Sequence, residues 1–393
     1  MSIPENKYTI TYGGWYQRTT LHMSEVYNLF ANGYSHLELS KDELKRLQTD
    51  LDLVQVTRES SSLEYVKAIT STGIEIRYYE DGLYILEKST DDIAETEHEL
   101  KDYLDLKFNP AISYIFSLGA PTPKVLANIK TIHPIVVSTY ENKIKQFAPD
   151  ESIFGKVYAK FSSSSITVFK TPKYIFVSVG GKKNESMTNL IETQIFFREF
   201  KDQLEKYLAI HRSIWEEISE VKEAQTVKGK DVEGIRGRLD GYQKTISLIE
   251  NRINQMGSYV NTRSSIAKHL DIEKDLVSLF EYKFETLTDT LAYIKEIWKM
   301  TKDYLSSAIG NLVEIKSQST SNNLKSLQTI TSIGVISGVL GYLSANKLPS
   351  ISRSGAIYFL ILFTLTWAMD KLLKKQSQNK KYSLKFGERV SNL

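Results

Sequence analysis

Two uncharged runs close to the C-terminus constrain this chain more than anything else in it. Residues 329–343 (TITSIGVISGVLGYL) carry no charge, and neither do residues 354–369 (SGAIYFLILFTLTWAM). A helix needs about 20 apolar residues to cross a hydrocarbon core of about 30 Å. Each run falls slightly short of that, so each alone also fits a buried core helix. As a pair they predict two C-terminal transmembrane helices, an assignment that spans residues 327–370. The linking segment 344–353 carries Pro349, Asn346 and serines, Trp367 lies near the end of the second run, and Lys371, Lys374 and Lys375 follow at once. Such an aromatic and basic border is what a membrane interface selects.

Orientation follows from charge. The tail 371–393 holds Lys371, Lys374, Lys375, Lys380, Lys381, Lys385 and Arg389, whereas the link has only Lys347 and Arg353. The positive-inside rule puts such a tail in the cytoplasm. Two crossings return the chain to its starting side, so both termini are expected to be cytoplasmic, in a cell membrane and in contact with its lipid. The first residues, MSIPENKYTITYGG, contain no apolar stretch of the kind a cleavable signal needs. The absence of cysteine excludes disulfides and thiolate metal sites. A net charge of +3 on 393 residues argues against nucleic acid as a partner.

Upstream, residues 1–190 mix short strands with helices and predict an α+β domain. Residues 8–12 form a strand pattern and 24–31 a short helix. Runs 73–79 and 83–86 flank Glu80-Asp81-Gly82, where Asp-Gly supplies the positive φ of a tight hairpin. A helix follows over 90–106 with Thr90 as its N-cap. Three β-like runs come at 156–161, 165–169 and 174–179. Beyond Gly180-Gly181 the spacing becomes helical: 192–224 lacks Gly and Pro, 228–241 carries four glycines and predicts a break, and a second helix covers 239–268. These are the paired helices of region 191–270.

A third helix is expected from an N-cap at Asp271 through 326, continuing into the first apolar run. Leu276, Phe280, Leu287, Leu291, Ile294, Trp298, Leu305, Leu312 and Ile315 recur mostly three, four or seven apart. That spacing is the seam of a coiled coil. Its partners are the two preceding helices, further copies of the chain, or both.

The layout resembles the CorA family of divalent-cation channels, including its ZntB branch, over roughly residues 190–376. YKFETLTDTLAYIKEI (282–297) is similar to the family's stalk start, DYLSSAIGN (303–311) to its middle, and SNNLKSLQTIT (321–331) to its membrane entry. The resemblance implies a homopentameric channel for Mg²⁺, Co²⁺, Ni²⁺ or Zn²⁺, gated by its cytoplasmic domain. The family's Gly-Met-Asn motif is missing. Gly341 matches its glycine, but Tyr342 and Leu343 replace Met and Asn, and Asn346 is a shifted stand-in for the amide. A ring of amide oxygens suits a cation that dehydrates as reluctantly as Mg²⁺, and Leu343 supplies none. A membrane-anchored coiled-coil scaffold that has lost conduction is therefore the alternative.

Asn323, Leu327, Ile330, Gly334, Ser337 and Gly341 fall on one stripe at steps of four and three. In a symmetric oligomer that stripe lines a pore, with Leu327 and Ile330 as an apolar constriction; close helix packing through small residues explains it as well. The acidic run Asp91, Asp92, Glu95 and Glu99 offers oxygen ligands to a hard cation, and a solvated helix face is the simpler account. No firm cofactor is expected. Histidines without paired ligand spacing, and Gly180-Gly181-Lys182-Lys183 without the first half of a phosphate loop, argue against an enzyme.

Overall fold

The computed structural model describes residues 8–16, 22–117, 133–141, 148–223 and 226–343, and beyond them 357, 360–361, 363–365, 367–369, 371–372, 375 and 379–383. They divide into two compact units: residues 1–210 with 248–297, and 211–247 with 298–393. The boundaries fall within the long helices.

The first unit is built on a nine-stranded sheet. Its strands are β1 (Tyr8–Trp15), β2 (Leu53–Ser60), β3 (Glu64–Thr70), β4 (Glu75–Tyr79), β5 (Leu83–Thr90), β6 (Ile135–Glu141), β7 (Ala159–Ser162), β8 (Ile166–Lys170) and β9 (Tyr174–Gly180). They lie in the order β2-β3-β4-β5-β1-β6-β9-β8-β7. Neighbours are antiparallel except β6 and β9, which run parallel with Ile135 opposite Tyr174. The Asp-Gly hairpin forms as expected, with Gly82 at φ 87 between β4 and β5.

Side chains alternate across a strand, so each strand serves two faces. Ile10, Ile76, Leu86 and Phe176 point to one face and meet Leu29, Phe30, Leu44, Leu100 and Phe108 from the helices Met23–Asn32, Lys41–Asp50 and Ile93–Tyr103 and the π-helical turn Leu104–Phe108. The opposite face receives the helix Glu185–Glu223. Trp15 packs there with its ring tilted against Phe196 at 5.1 Å and Phe200 at 6.0 Å. Gly13 makes this approach possible: a Cβ on it would lie 2.7 Å from Ile85 and 3.1 Å from Ile195. Burying each of these large side chains contributes about 1.5–3 kcal/mol.

The helical run differs from expectation in two places. Helix Val232–His269 starts inside the expected break and passes through Gly234, Gly237 and Gly241. Interior glycines each cost about 1 kcal/mol against alanine, and burial of Leu239, Ile246, Ile249 and Ile253 outweighs that. Asp271 does not cap; it lies at φ 53, and Ile272 is the N-cap of a short helix, Glu273–Phe280. Glu281 then turns left-handed, the Tyr282 N–H reaching Leu276 O at 3.2 Å. The long helix therefore begins at Phe284 and runs to Leu343.

Along it Leu287, Leu291, Ile294, Trp298, Thr301, Leu305, Ala308, Leu312 and Ile315 are all buried, in strict steps of four and three. The expected apolar stripe is thus buried as far as Ile315. In the second unit, His211 Nε2 lies 2.7 Å from Thr301 Oγ1, and the His211 ring packs between Trp215 and Trp298. A strand at Thr226–Lys228 pairs there with another at Lys381–Ser383, inside the expected basic tail.

The expectation of two transmembrane helices is corrected by the structure. Among the described residues no helix is long and apolar enough to cross a membrane. The physical reason lies in the context of the runs. Residues 329–343 are the last part of a 60-residue helix and rise only about 22 Å at 1.5 Å per residue, and the turns before them are polar (SQSTSNN, 317–323). Of 354–369, scattered residues from Ile357 onward are described, as helical.

Arg263 fixes the helix Val232–His269 to the sheet within the first unit. Its Nε donates to Asp81 Oδ2 at 2.6 Å, and its guanidinium lies over the Tyr79 ring at 4.8 Å. Both ionic side chains are almost fully buried. Arg263→Met should destabilise the chain by about 3–5 kcal/mol by leaving Asp81 charged and unpaired. Adding Asp81→Asn should recover part of that loss, measured as urea-unfolding midpoints of both variants.

Candidate functional site

Two of the four candidate metal ligands, Asp92 and Glu99, are drawn into other contacts. Asp92 is the N-cap of helix Ile93–Tyr103 and accepts the Glu95 N–H at 3.0 Å. Glu99 takes the Lys88 ammonium at 2.6 and 2.8 Å, and Asp91 and Glu95 face solvent. Among the described residues no three His, Asp or Glu converge so as to hold a metal ion. In the stripe of the long helix, Leu327 and Gly334 are exposed and Ile330 is half-buried. Asn323, Ser337 and Gly341 belong to the same helix, and Tyr342 and Leu343 are its last residues. Asn346 lies outside the described residues.

The structure brings together two charged clusters that the sequence did not reveal, both in the first unit. On the helix-facing side of the sheet, Arg77 of β4 donates from Nε to Glu192 at 2.7 Å and from Nη2 to Glu87 at 3.0 Å, and also meets Glu75. The Tyr79 hydroxyl donates to Glu192 at 2.6 Å, and Lys183 closes on Glu87. Burial works against the Arg77 charge, but Glu192, Glu87 and Glu75 outweigh it and raise its pKa. Burial likewise pushes Glu87 up, and Arg77 and Lys183 more than reverse that, leaving it below the usual carboxylate range. The sequence signal is faint: Glu75, Arg77 and Tyr79 alternate along one strand, which normally marks a solvent face.

The second cluster lies where β6 begins. His133 Nε2 is 3.2 Å from Glu199 and 3.8 Å from Asp202, and Lys206 holds Asp202 at 2.8 Å. Arg198 spends its donors on Glu199 at 2.9 Å, Pro134 O at 2.7 Å and Gly13 O at 3.2 Å. Burial first, then the Arg198 charge, holds His133 down to about 4, so it is neutral at pH 7. Burial pushes Glu199 up. A concavity of about 280 Å³ opens beside this cluster, adjoined by another of about 370 Å³; both are lined by Lys170, Arg198, Lys201, Phe280 and Tyr282. Such a pocket, with fixed charges at one wall and aromatic rings at another, is equipped for binding.

No family model and no curated protein matches this sequence. Among solved structures, the chain is similar to the complete structure of the CorA magnesium transporter from Methanocaldococcus jannaschii, with 12% identity and a TM-score of 0.28. The alignment covers 62% of this chain and 89% of that one. A likeness of that size carries no argument about fold or function.

The depressed pKa of Glu87 makes stability depend on pH. A carboxylate whose folded pKa is depressed adds stability that is complete above its unfolded value, about 4.3, and is lost as pH falls through the folded value. Glu87→Gln should therefore lower stability at pH 7 by about 1–3 kcal/mol. It should also flatten the acid loss that wild type shows below about pH 4.3. Urea midpoints from pH 7 down to pH 3 check both.

Proposed function

We propose that this chain is a membrane-associated, self-assembling protein that handles divalent cations through a CorA-like architecture. One observation carries the membrane and assembly parts. Leu324, Leu327, Val335 and Ile336 on the long helix, and Ile357, Leu360, Ile361, Phe363, Leu365, Trp367, Met369 and Leu372 after it, are each 45–67% exposed. A lone chain in water does not keep so many large apolar groups open, so lipid, further copies of the chain, or both cover them. Lys371 lies over the Trp367 ring at 4.7 Å, a pairing suited to the headgroup level of a bilayer.

The cation part rests on the resemblance of residues 282–297, 303–311 and 321–331 to the family's stalk and entry. Its finer form is a homo-oligomeric channel for Mg²⁺, Co²⁺, Ni²⁺ or Zn²⁺, with the stripe from Asn323 to Gly341 facing the axis. The departure at Tyr342 and Leu343 favours a second reading, a lipid-attached scaffold that assembles without conducting.

The full chain, purified in detergent, should be an oligomer by light scattering and should float with liposomes. Leu360→Glu combined with Phe363→Glu should abolish most of the flotation, because each buried charge costs several kcal/mol in hydrocarbon. A monomer that stays with the aqueous fraction would overturn the reading. Reconstituted oligomer that passes Mg²⁺ or Co²⁺ above empty liposomes supports the channel; oligomer that passes neither leaves the scaffold.

A further inference from the structure

The two-stranded ribbon of the second unit gathers lysines from distant parts of the sequence. It puts Lys228 directly opposite Lys381, with Val227 opposite Tyr382 and Thr226 opposite Ser383. Partners across a ladder share a face. Val227 and Tyr382 are buried on the inner face, so Lys228 and Lys381 project from the outer one, where both are exposed. The Gly229 N–H donates to the Lys380 carbonyl at 3.1 Å, which holds Lys380 beside the turn that carries Lys230. Lys230 and Lys380 are exposed as well. Like charges directly opposite each other destabilise a ladder, and a ribbon of two short strands has little stability to spare. The chain does not answer this charge itself. Segments 226–231 and 371–383 contain Asp231 as their single acid, and Glu233 beyond it is taken by Lys316 at 2.5 Å. Among the described residues none of Lys228, Lys230, Lys380 and Lys381 has an acidic partner at ion-pair distance.

The place of the ribbon in the chain selects its partner. Lys371, over the Trp367 ring, and Lys375 are also exposed, and positions 371, 372, 375 and 379 are helical. At 1.5 Å per residue the step from Lys371 to Lys380 is about 14 Å. The ribbon therefore stays close to the exposed apolar side chains Phe363, Trp367 and Leu372. A nucleic acid would meet the lysines and leave those apolar groups in water. An anionic bilayer meets both, with hydrocarbon for the apolar groups and headgroup charge for the lysines, and clusters of this size next to an apolar segment suit such lipid.

We propose that the ribbon and the tail form one surface for anionic lipid headgroups, to which the turn between two long helices contributes Lys228 and Lys230. This rests on the membrane association proposed above and specifies the lipid. The full chain is floated at low salt with phosphatidylcholine vesicles and with vesicles of mixed phosphatidylcholine and phosphatidylserine. Partition to the mixed vesicles should be at least about a hundredfold stronger, and raised salt should screen the difference away. Lys228→Gln with Lys230→Gln should cut the preference about tenfold or more at an unchanged unfolding midpoint. Lys244→Gln with Lys299→Gln removes the same charge from exposed positions of the same unit, several turns along their helices. It should leave the preference within about twofold, because screening confines the attraction to about 8 Å. Wild type that floats with neutral vesicles and gains nothing from phosphatidylserine overturns this proposal and leaves membrane association standing; wild type that floats with neither overturns both. The proposal also falls if the Lys228 and Lys230 variant keeps the wild-type preference. It falls equally if duplex RNA binds more tightly than the mixed vesicles do, which would mark a general polyanion surface.

Discussion

The contact between Arg263 and Asp81 is the constraint on which the rest of the first unit depends. Asp81 sits in a turn whose geometry demands glycine next to it, and it serves three elements at once. Its carboxylate takes Arg263 and the Leu83 N–H, and its backbone carbonyl takes the Trp15 indole. Trp15 in turn lies on Phe196 and Phe200. The hairpin, the first strand, the helix Glu185–Glu223 and the helix Val232–His269 are thus registered by one residue. Buried ion pairs add little net stability because desolvation offsets the Coulomb gain. Their value is that a misregistered helix leaves a buried charge alone, which costs far more than a lost apolar contact. The Arg77–Glu192 contact repeats the device two residues before Tyr79, on the same face of the sheet.

What was legible in the sequence was local. The Asp81-Gly82 hairpin, the strands near 160, 168 and 177, and the seam from Leu287 to Ile315 each announce themselves by spacing within a dozen residues. β2 gave no such signal because it is an edge strand with neither face covered well enough to impose alternation. β6 was missed for the opposite reason: its centre, Val136 to Thr139, is buried on both faces, so polar and apolar do not alternate. Thr90 was expected to cap a helix, but its hydroxyl accepts the Asp92 N–H, and that turn hands the cap to Asp92. Competition of this kind between neighbouring short polar side chains is decided by geometry that a pattern does not contain.

The candidate sites failed to be legible for a related reason. The sequence offers acids that are adjacent, such as Asp91 and Asp92, and adjacency on a helix end serves capping. The clusters that form join Arg77 to Glu87 and Glu192, and His133 to Glu199 and Asp202. Only the strand order, with β1 between β5 and β6, brings such distant residues under one helix.

The long helix changes its role at Ile315, and that change links the fold to the proposed function. Up to that point every step of four and three lands on a buried side chain, so the helix is a packing element of its own chain. Continued, the same steps fall on Ser319, Asn322, Ser326 and Thr329, residues that would weaken an apolar seam. The apolar residues that follow, Leu324 and Leu327, have moved off the seam and stand exposed. A helix that needed only to bury its own stripe would end where the stripe ends. This one continues for 28 residues after Ile315 without proline. Helical stability over such a length comes from packing more than from propensity. The proposed assembly or lipid contact rests on this continuation, where Leu324, Leu327, Val335 and Ile336 stand exposed.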